Sequence, residues 1–158
     1  MEILLIVDCQ KEFVKDRTGL KIYNSILNYL RAHRVDYDEV WTTVYKNGQN
    51  VNMARLLNWE QMLKVENLDY RADKYFLHSG YAPITMDTLS QNDRVTVVGF
   101  DTDACVLATC FDLWDKQVNL RILANGCYSS GGSKMHNAGL SIMKRQFGKA
   151  LDTVTRLE

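Results

Sequence analysis

The chain has 158 residues, of which 46% are hydrophobic and 24% charged. That length and composition specify one folded domain with a sizeable core and exclude a disordered or low-complexity chain. Nineteen basic residues balance nineteen acidic ones for a formal net charge of zero, which argues against a general polyanion binder, so no nucleic-acid partner is expected. From the amino terminus, Glu2–Val7 (EILLIV) is a continuous apolar run of the kind buried on both faces of a sheet. Asp8 ends it well short of the roughly 20 residues a spanning helix needs, so no membrane partner is expected. No secretory signal pattern opens the chain, and the expected location is cytoplasmic.

Residues 20–30 put Ile22, Tyr23, Ile26, Leu27 and Leu30 on one helical face, and Asp38–Tyr45 (DEVWTTVY) reads as a second strand. Residues 51–63 have helical propensity with a less regular apolar stripe. Asp73–Leu77 reads as a short strand, and a short helix is predicted near 85–90, after Pro83. Arg94–Gly99 (RVTVVG) is another buried strand. The helix over 103–115 is apolar almost all round, which predicts a central position. Asn119–Ala124 reads as a strand. Ser133 is placed to cap a helix carrying His136, Leu140, Met143 and Phe147 on one side, with Gly148 as its stop. Thr153–Leu157 is the candidate last strand. The alternation predicts a single α/β domain over residues 1–158, a three-layer, Rossmann-like α-β-α arrangement around a mostly parallel sheet of about six strands.

Ligand sites in such sheets lie beyond the carboxyl ends of the strands, at the switch point of the strand order. Asp8 follows the first strand. The sequence Phe100-Asp101-Thr102-Asp103-Ala104-Cys105 follows the Arg94–Gly99 strand and puts Cys105 near the first turn of the next helix. A helix N-terminus favours thiolate over thiol, and the backbone N–H groups of Ala104 and Cys105 are placed to hold a developing oxyanion. Thiol, carboxylate and oxyanion pocket are the parts of an acyl-transfer site. The other three of the four cysteines (Cys9, Cys110 and Cys127) read as small buried hydrophobes, because no CxxC pair occurs. A dehydrogenase would need GxGxxG after the first strand, where the chain reads Asp8-Cys9-Gln10-Lys11.

Two segments, LLIVDCQKEFV (4–14) and VVGFDTDACVLATCFD (97–112), resemble the isochorismatase-like cysteine hydrolases, the superfamily of nicotinamidases and carbamoyl-amide hydrolases. The second is the more specific, with Gly-x-x-Thr-Asp-x-Cys-Val opening a helix. The resemblance implies an Asp–Lys–Cys triad. Asp8 and Cys105 match directly. The family lysine, followed by small and aromatic residues, is best matched by Lys74, with Lys46 and Lys64 as competitors by location. The resemblance also implies a cis peptide at Phe100–Asp101. It implies hydrolysis of a small-molecule amide or carbamoyl compound through a thioester on Cys105, with Asp8 as general base and Lys74 as its electrostatic partner. Relatives often assemble as dimers or tetramers, so a homo-oligomer is an expectation of the same kind.

Nicotinamidases hold a metal through an Asp-x-His pair after the second strand plus another His. Here that stretch reads Thr43-Val44-Tyr45-Lys46-Asn47-Gly48-Gln49, and the three histidines, at 33, 78 and 136, lack zinc spacing, so neither metal nor cofactor is expected. Cys105 argues against isochorismate itself as substrate. Phe13 and Tyr81 are the candidate substrate-binding residues, with ordinary packing as the competing reading. His136 reads as a hydrogen-bonded core histidine, and His78 lies near the mouth with no role assigned. Ser129–Lys134 lacks P-loop spacing and reads as an ordinary loop. The competing function is a fold relative that has lost catalysis and serves as a binding or assembly module.

Overall fold

A computed structural model describes residues 1–46, 50–57, 68–83 and 88–157. Six strands form one parallel sheet: β1 (Glu2–Val7), β2 (Glu39–Tyr45), β3 (Lys74–His78), β4 (Arg94–Phe100), β5 (Asn119–Tyr128) and β6 (Leu151–Asp152), in the order β3-β2-β1-β4-β5-β6. Among the described residues three longer helices accompany them: α1 (Arg17–His33), α2 (Cys105–Asp115) and α3 (Ser133–Phe147).

The strand period of two divides β1 between two cores. Leu4 and Ile6 pack with Tyr23, Ile26 and Leu30 of α1 on one face. Ile3, Leu5 and Val7 pack with Val106, Cys110 and Leu113 of α2 and Met143 and Phe147 of α3 on the other. This is why residues 3–7 read as unbroken apolar sequence: neither face meets water there. The Asp16 carboxylate caps α1 by accepting from Gly19 N–H at 2.7 Å.

Four expectations need correction. β5 runs on to Tyr128, because its register with β4 shifts between Val97 and Gly99, and the Asn125-Gly126 pair is carried inside the strand instead of ending it. β6 is Leu151–Asp152, ahead of 153–157. α2 covers one sheet face and leaves Phe111 and Trp114 partly exposed against Phe147, so it is not central. Gly132, not Ser133, occupies the cap position of α3, and the Ser133 hydroxyl pairs with that of Tyr128. Gly148 does end α3, at φ 55° with its N–H on the Lys144 carbonyl. The 51–63 segment is helical over 51–57, with a π-helical Met53–Leu57 turn, and the rest lies outside the described residues; of the 85–90 segment, 85–87 lie outside them and 88–90 are not helical. Among the described residues no helix is long and apolar enough to cross a membrane.

Candidate active site

The strand order reverses at β1, which has β2 on one side and β4 on the other. Asp8 leaves the end of β1 in the left-handed region, φ 44°, a conformation Asp tolerates better than most residues. Beside it β4 comes unusually close. Gly99 pairs with Val7, and a Cβ there would lie 2.0 Å from the Val7 carbonyl oxygen. The chain then passes through a cis Phe100–Asp101 peptide into α2, whose first residue is Cys105.

The side chains of Asp8, His78 and Cys105 meet in this crevice. Their ligand-type atoms lie within 4.8 Å of one another and all three residues are buried. Asp8 Oδ1 accepts from Thr43 Oγ1 at 2.7 Å and pairs with His78 Nε2 at 2.7 Å. The Asp8 N–H returns to Thr43 Oγ1 and the Thr43 carbonyl. Among the described residues the other carboxylate oxygen, Oδ2, is buried with no hydrogen-bond partner, and so is His78 Nδ1. Burial, and then the Asp8 carboxylate, push the Cys105 thiol well above its ordinary pKa. The helix N-terminus therefore does not prevail as expected: the resting sulfur is a thiol that needs a base.

Lys74 does not join this group. It opens β3, pairs with Glu39 at 3.4 Å and lies over the Trp41 ring. Four residues of extended chain, roughly 13 Å, separate it from His78 at the carboxyl end of the same strand. Lys46 gives its backbone N–H to the His78 carbonyl, and its side chain is exposed; Lys64 lies outside the described residues. His78 occupies the place assigned to the lysine, and it is followed by Ser79, Gly80 and Tyr81, the small-then-aromatic pattern sought after Lys74. The rule that picked out Asp8 and Cys105, chemistry just past a strand's carboxyl end, applies equally to the third strand and finds His78.

Of the two N–H groups expected in an oxyanion hole, that of Ala104 donates to the Asp101 carbonyl at 3.0 Å. Among the described residues no such acceptor engages the Cys105 N–H. A cleft of about 570 Å³ opens beside Ala104, lined by Tyr81, Leu107, Phe111 and the Asp101 and Asp103 loop. Tyr81 thus borders the cleft. Phe13 does not: it is 4% exposed and packs edge-on against Tyr45 in the α1-side core. Tyr45 in turn is edge-on to His78, so Phe13 supports the site from behind. Gln10 clamps the Tyr45 backbone through both its amide atoms. Ser130 donates to Asp101 from its N–H and hydroxyl, and Ser129 donates to Asp103, so the serine loop binds carboxylates of this chain and is unsuited to an anion. Burial lifts the Asp101 carboxyl to about 6. His136 is half-buried against Thr102 and Tyr128, away from the trio.

The donor set does not fit a resident metal. Among the described residues the one cluster of three His, Cys, Asp or Glu side chains is Asp8–His78–Cys105 itself. Two of its atoms sit at hydrogen-bond distance, 2.7 Å, closer than the roughly 3.3 Å between neighbours on a tetrahedral zinc. The stretch after β2 supplies no ligand-type side chain.

A family model for the isochorismatase domain matches residues 2–155. No curated protein sequence matches at a significant level. Among solved structures, the chain is similar to N-carbamoylsarcosine amidase from Thermoplasma acidophilum, with a TM-score of 0.75, 18% identity and coverage of 99% of this chain and 96% of that one. It is similar to the pyrazinamidase of Pyrococcus horikoshii in complex with zinc, with a TM-score of 0.73, 18% identity and 98% of each chain covered. The pyrazinamidase/nicotinamidase of Streptococcus mutans gives a TM-score of 0.73 at 14% identity, over 96% of this chain and 100% of that one.

Proposed function

The chain belongs to the isochorismatase family, and we propose that it is a cysteine hydrolase cleaving a C–N bond of a small amide or carbamoyl compound through a thioester on Cys105. The observation that carries this reading is the meeting of Asp8 and Cys105 at the switch point, with one oxygen of a fully buried carboxylate left without a partner among the described residues. The similar structures named as a carbamoyl amidase and pyrazinamidases support an amide as the substrate class.

Asp8 Oδ2 takes the thiol proton as Sγ attacks the carbonyl carbon. The Cys105 N–H meets the oxyanion, and Ala104 joins it where substrate displaces the Asp101 carbonyl. Collapse of the tetrahedral intermediate returns the proton to the departing nitrogen. Water, deprotonated by Asp8, then attacks the thioester and frees the acid. Substrate enters through the cleft beside Ala104, past Tyr81. No step passes through a metal.

The test is a panel of small primary amides and N-carbamoyl compounds, with ammonia release followed in solution and Cys105 examined by mass spectrometry. Ammonia from at least one compound, with an acyl adduct on Cys105 and neither in Cys105→Ala, is the expected result. A protein that yields no ammonia and no adduct, and whose Cys105 reacts no faster with iodoacetamide than Cys9, Cys110 or Cys127, is the binding module instead. That second reading draws on the near-complete burial of the trio and on the absence of a lysine from it among the described residues.

A further inference from the structure

Tyr45 closes β2 with a hydroxyl that takes no part in the proton transfers between Asp8 and Cys105. The strand period of two puts it on the same face as Thr43, whose side chain reaches Asp8, and one step further toward the carboxyl end. The residue is 2% exposed, and its ring stands edge-on to His78 with centroids 5.9 Å apart. Gln10 holds the Tyr45 N–H and carbonyl, and Phe13 packs edge-on against the ring, so the phenol is fixed in place. Burial, then the neighbouring Cys105, Tyr81 and Asp8 groups, raise its pKa, so the hydroxyl stays a neutral donor. The other hydroxyls around the crevice donate to oxygen: Thr43 to Asp8, Ser129 to Asp103 and Ser130 to Asp101. That of Tyr45 donates, among the described residues, only to the Met53 sulfur at 3.1 Å. Met53 shares its π-helical turn with Leu57, which lines the cleft together with Tyr81. A thioether is a weak acceptor, so a nitrogen or oxygen acceptor brought to this hydroxyl makes the better bond.

We propose that the Tyr45 hydroxyl is a substrate-binding, specificity-determining group that reads a nitrogen or oxygen hydrogen-bond acceptor in the non-reacting part of the amide. The inference rests on the hydrolase reading above. The reacting atoms already have their partners there: the carbonyl oxygen meets the N–H groups of Cys105 and Ala104, and the departing nitrogen receives its proton from Asp8. β2 and β4 flank β1 on opposite sides, so Tyr45 approaches the crevice across from Cys105 and is left to meet the remainder of the molecule. On binding, the hydroxyl exchanges the Met53 sulfur for the substrate acceptor, and no covalent bond changes. The favoured substrate is then an amide whose acyl part carries an acceptor such as a ring nitrogen. An amide with C–H in that place leaves the hydroxyl on sulfur and forgoes the bond.

The experiment compares benzamide with the three pyridine carboxamides, matched in shape and differing by one ring nitrogen, in the full chain, Tyr45→Phe and Met53→Leu. Ammonia release gives kcat and KM, and protection of Cys105 from iodoacetamide gives binding without turnover. The wild type is expected to favour at least one pyridine isomer over benzamide. Tyr45→Phe, which keeps the ring, is expected to reduce that preference about fivefold or more, as loss of one net hydrogen bond implies, with the change in KM and not in kcat. Met53→Leu, which removes the resting acceptor at similar volume, should strengthen the preference, and it carries the test should Tyr45→Phe not fold. No preference in the wild type, a preference that Tyr45→Phe leaves unchanged, or all four amides weakened by the same factor overturns the role of Tyr45 and leaves its hydroxyl a packing group. So does a protein that hydrolyses other amides but neither cleaves nor binds any of these four. A Cys105 no more reactive than the other three cysteines, with no ammonia from any amide, overturns the hydrolase reading, and this inference with it.

Discussion

At Cys105 two fields oppose each other. The first turn of α2 stabilises a thiolate, while burial and the Asp8 carboxylate destabilise it, and the second pair prevails. The sulfur thus depends on Asp8 for activation, and removing either should abolish hydrolysis by different routes. Cys105→Ala is expected to lose ammonia release and the acyl adduct, yet to melt within about 6 °C of the wild type, since deleting one buried sulfur costs on the order of 1–2 kcal/mol. Asp8→Asn should retain the sulfur but lose ammonia release, because Asn takes no proton from Sγ and activates no water. Asp101 gives a prediction in the opposite sense from most carboxylates. Its native pKa of about 6 lies above the ordinary value of roughly 3.9. The folded chain therefore holds this proton more tightly than the unfolded one. The contribution is most favourable below the unfolded value and is lost as pH climbs through about 6. The stability of Asp101→Asn relative to wild type should accordingly rise between about pH 4 and pH 7, read from melting midpoints across that range.

At the scale of elements, sequence periodicity located most strands because the central ones are buried on both faces and leave no polar interruption to misread. It failed where the local signal and the tertiary outcome differ. Asn125-Gly126 reads as a turn, but Gly126 lies in β5 against Val98 and Leu157, where a Cβ would come within 2.6 Å of the Val98 side chain. Asp8 and Cys105 were legible because each follows an unmistakable strand and belongs to a specific motif. His78 is harder to read, because its strand is short and half-exposed and because the family motif points to an amine, not to an imidazole at the strand's end. Gly99 shows how tightly the site depends on strand packing. With φ at 136° and Val7 backbone in the space of a Cβ, Gly99→Ala forces β4 away from β1 beside Asp8. The expected cost is about 3 kcal/mol or more, seen as a lowered urea midpoint, with loss of Cys105 selectivity in whatever fraction still folds.

At the scale of the whole molecule, the site joins parts of unequal stability. Asp8 and Cys105 follow β1 and β4, which are flanked by strands on both sides and buried on both faces. His78 comes from β3, which among the described residues pairs only with β2, and Tyr75 and Leu77 on it are 49% and 63% exposed. Few buried contacts and an unpaired edge lower the free energy of local opening, so β3 should open without the rest of the sheet. That motion would remove His78 from Asp8 while the carboxylate and thiol stay where β1 and β4 hold them. Native-state hydrogen exchange should therefore show Phe76 and Leu77 amides exchanging through openings much smaller than those of Leu5, Ile6, Val97 and Val98. Urea well below the global midpoint should reduce hydrolysis while the β1 and β4 amides stay protected. Equal protection across all these amides, with activity lost only at the global transition, would show that the edge strand and the centre open as one unit and that the site cannot come apart short of unfolding.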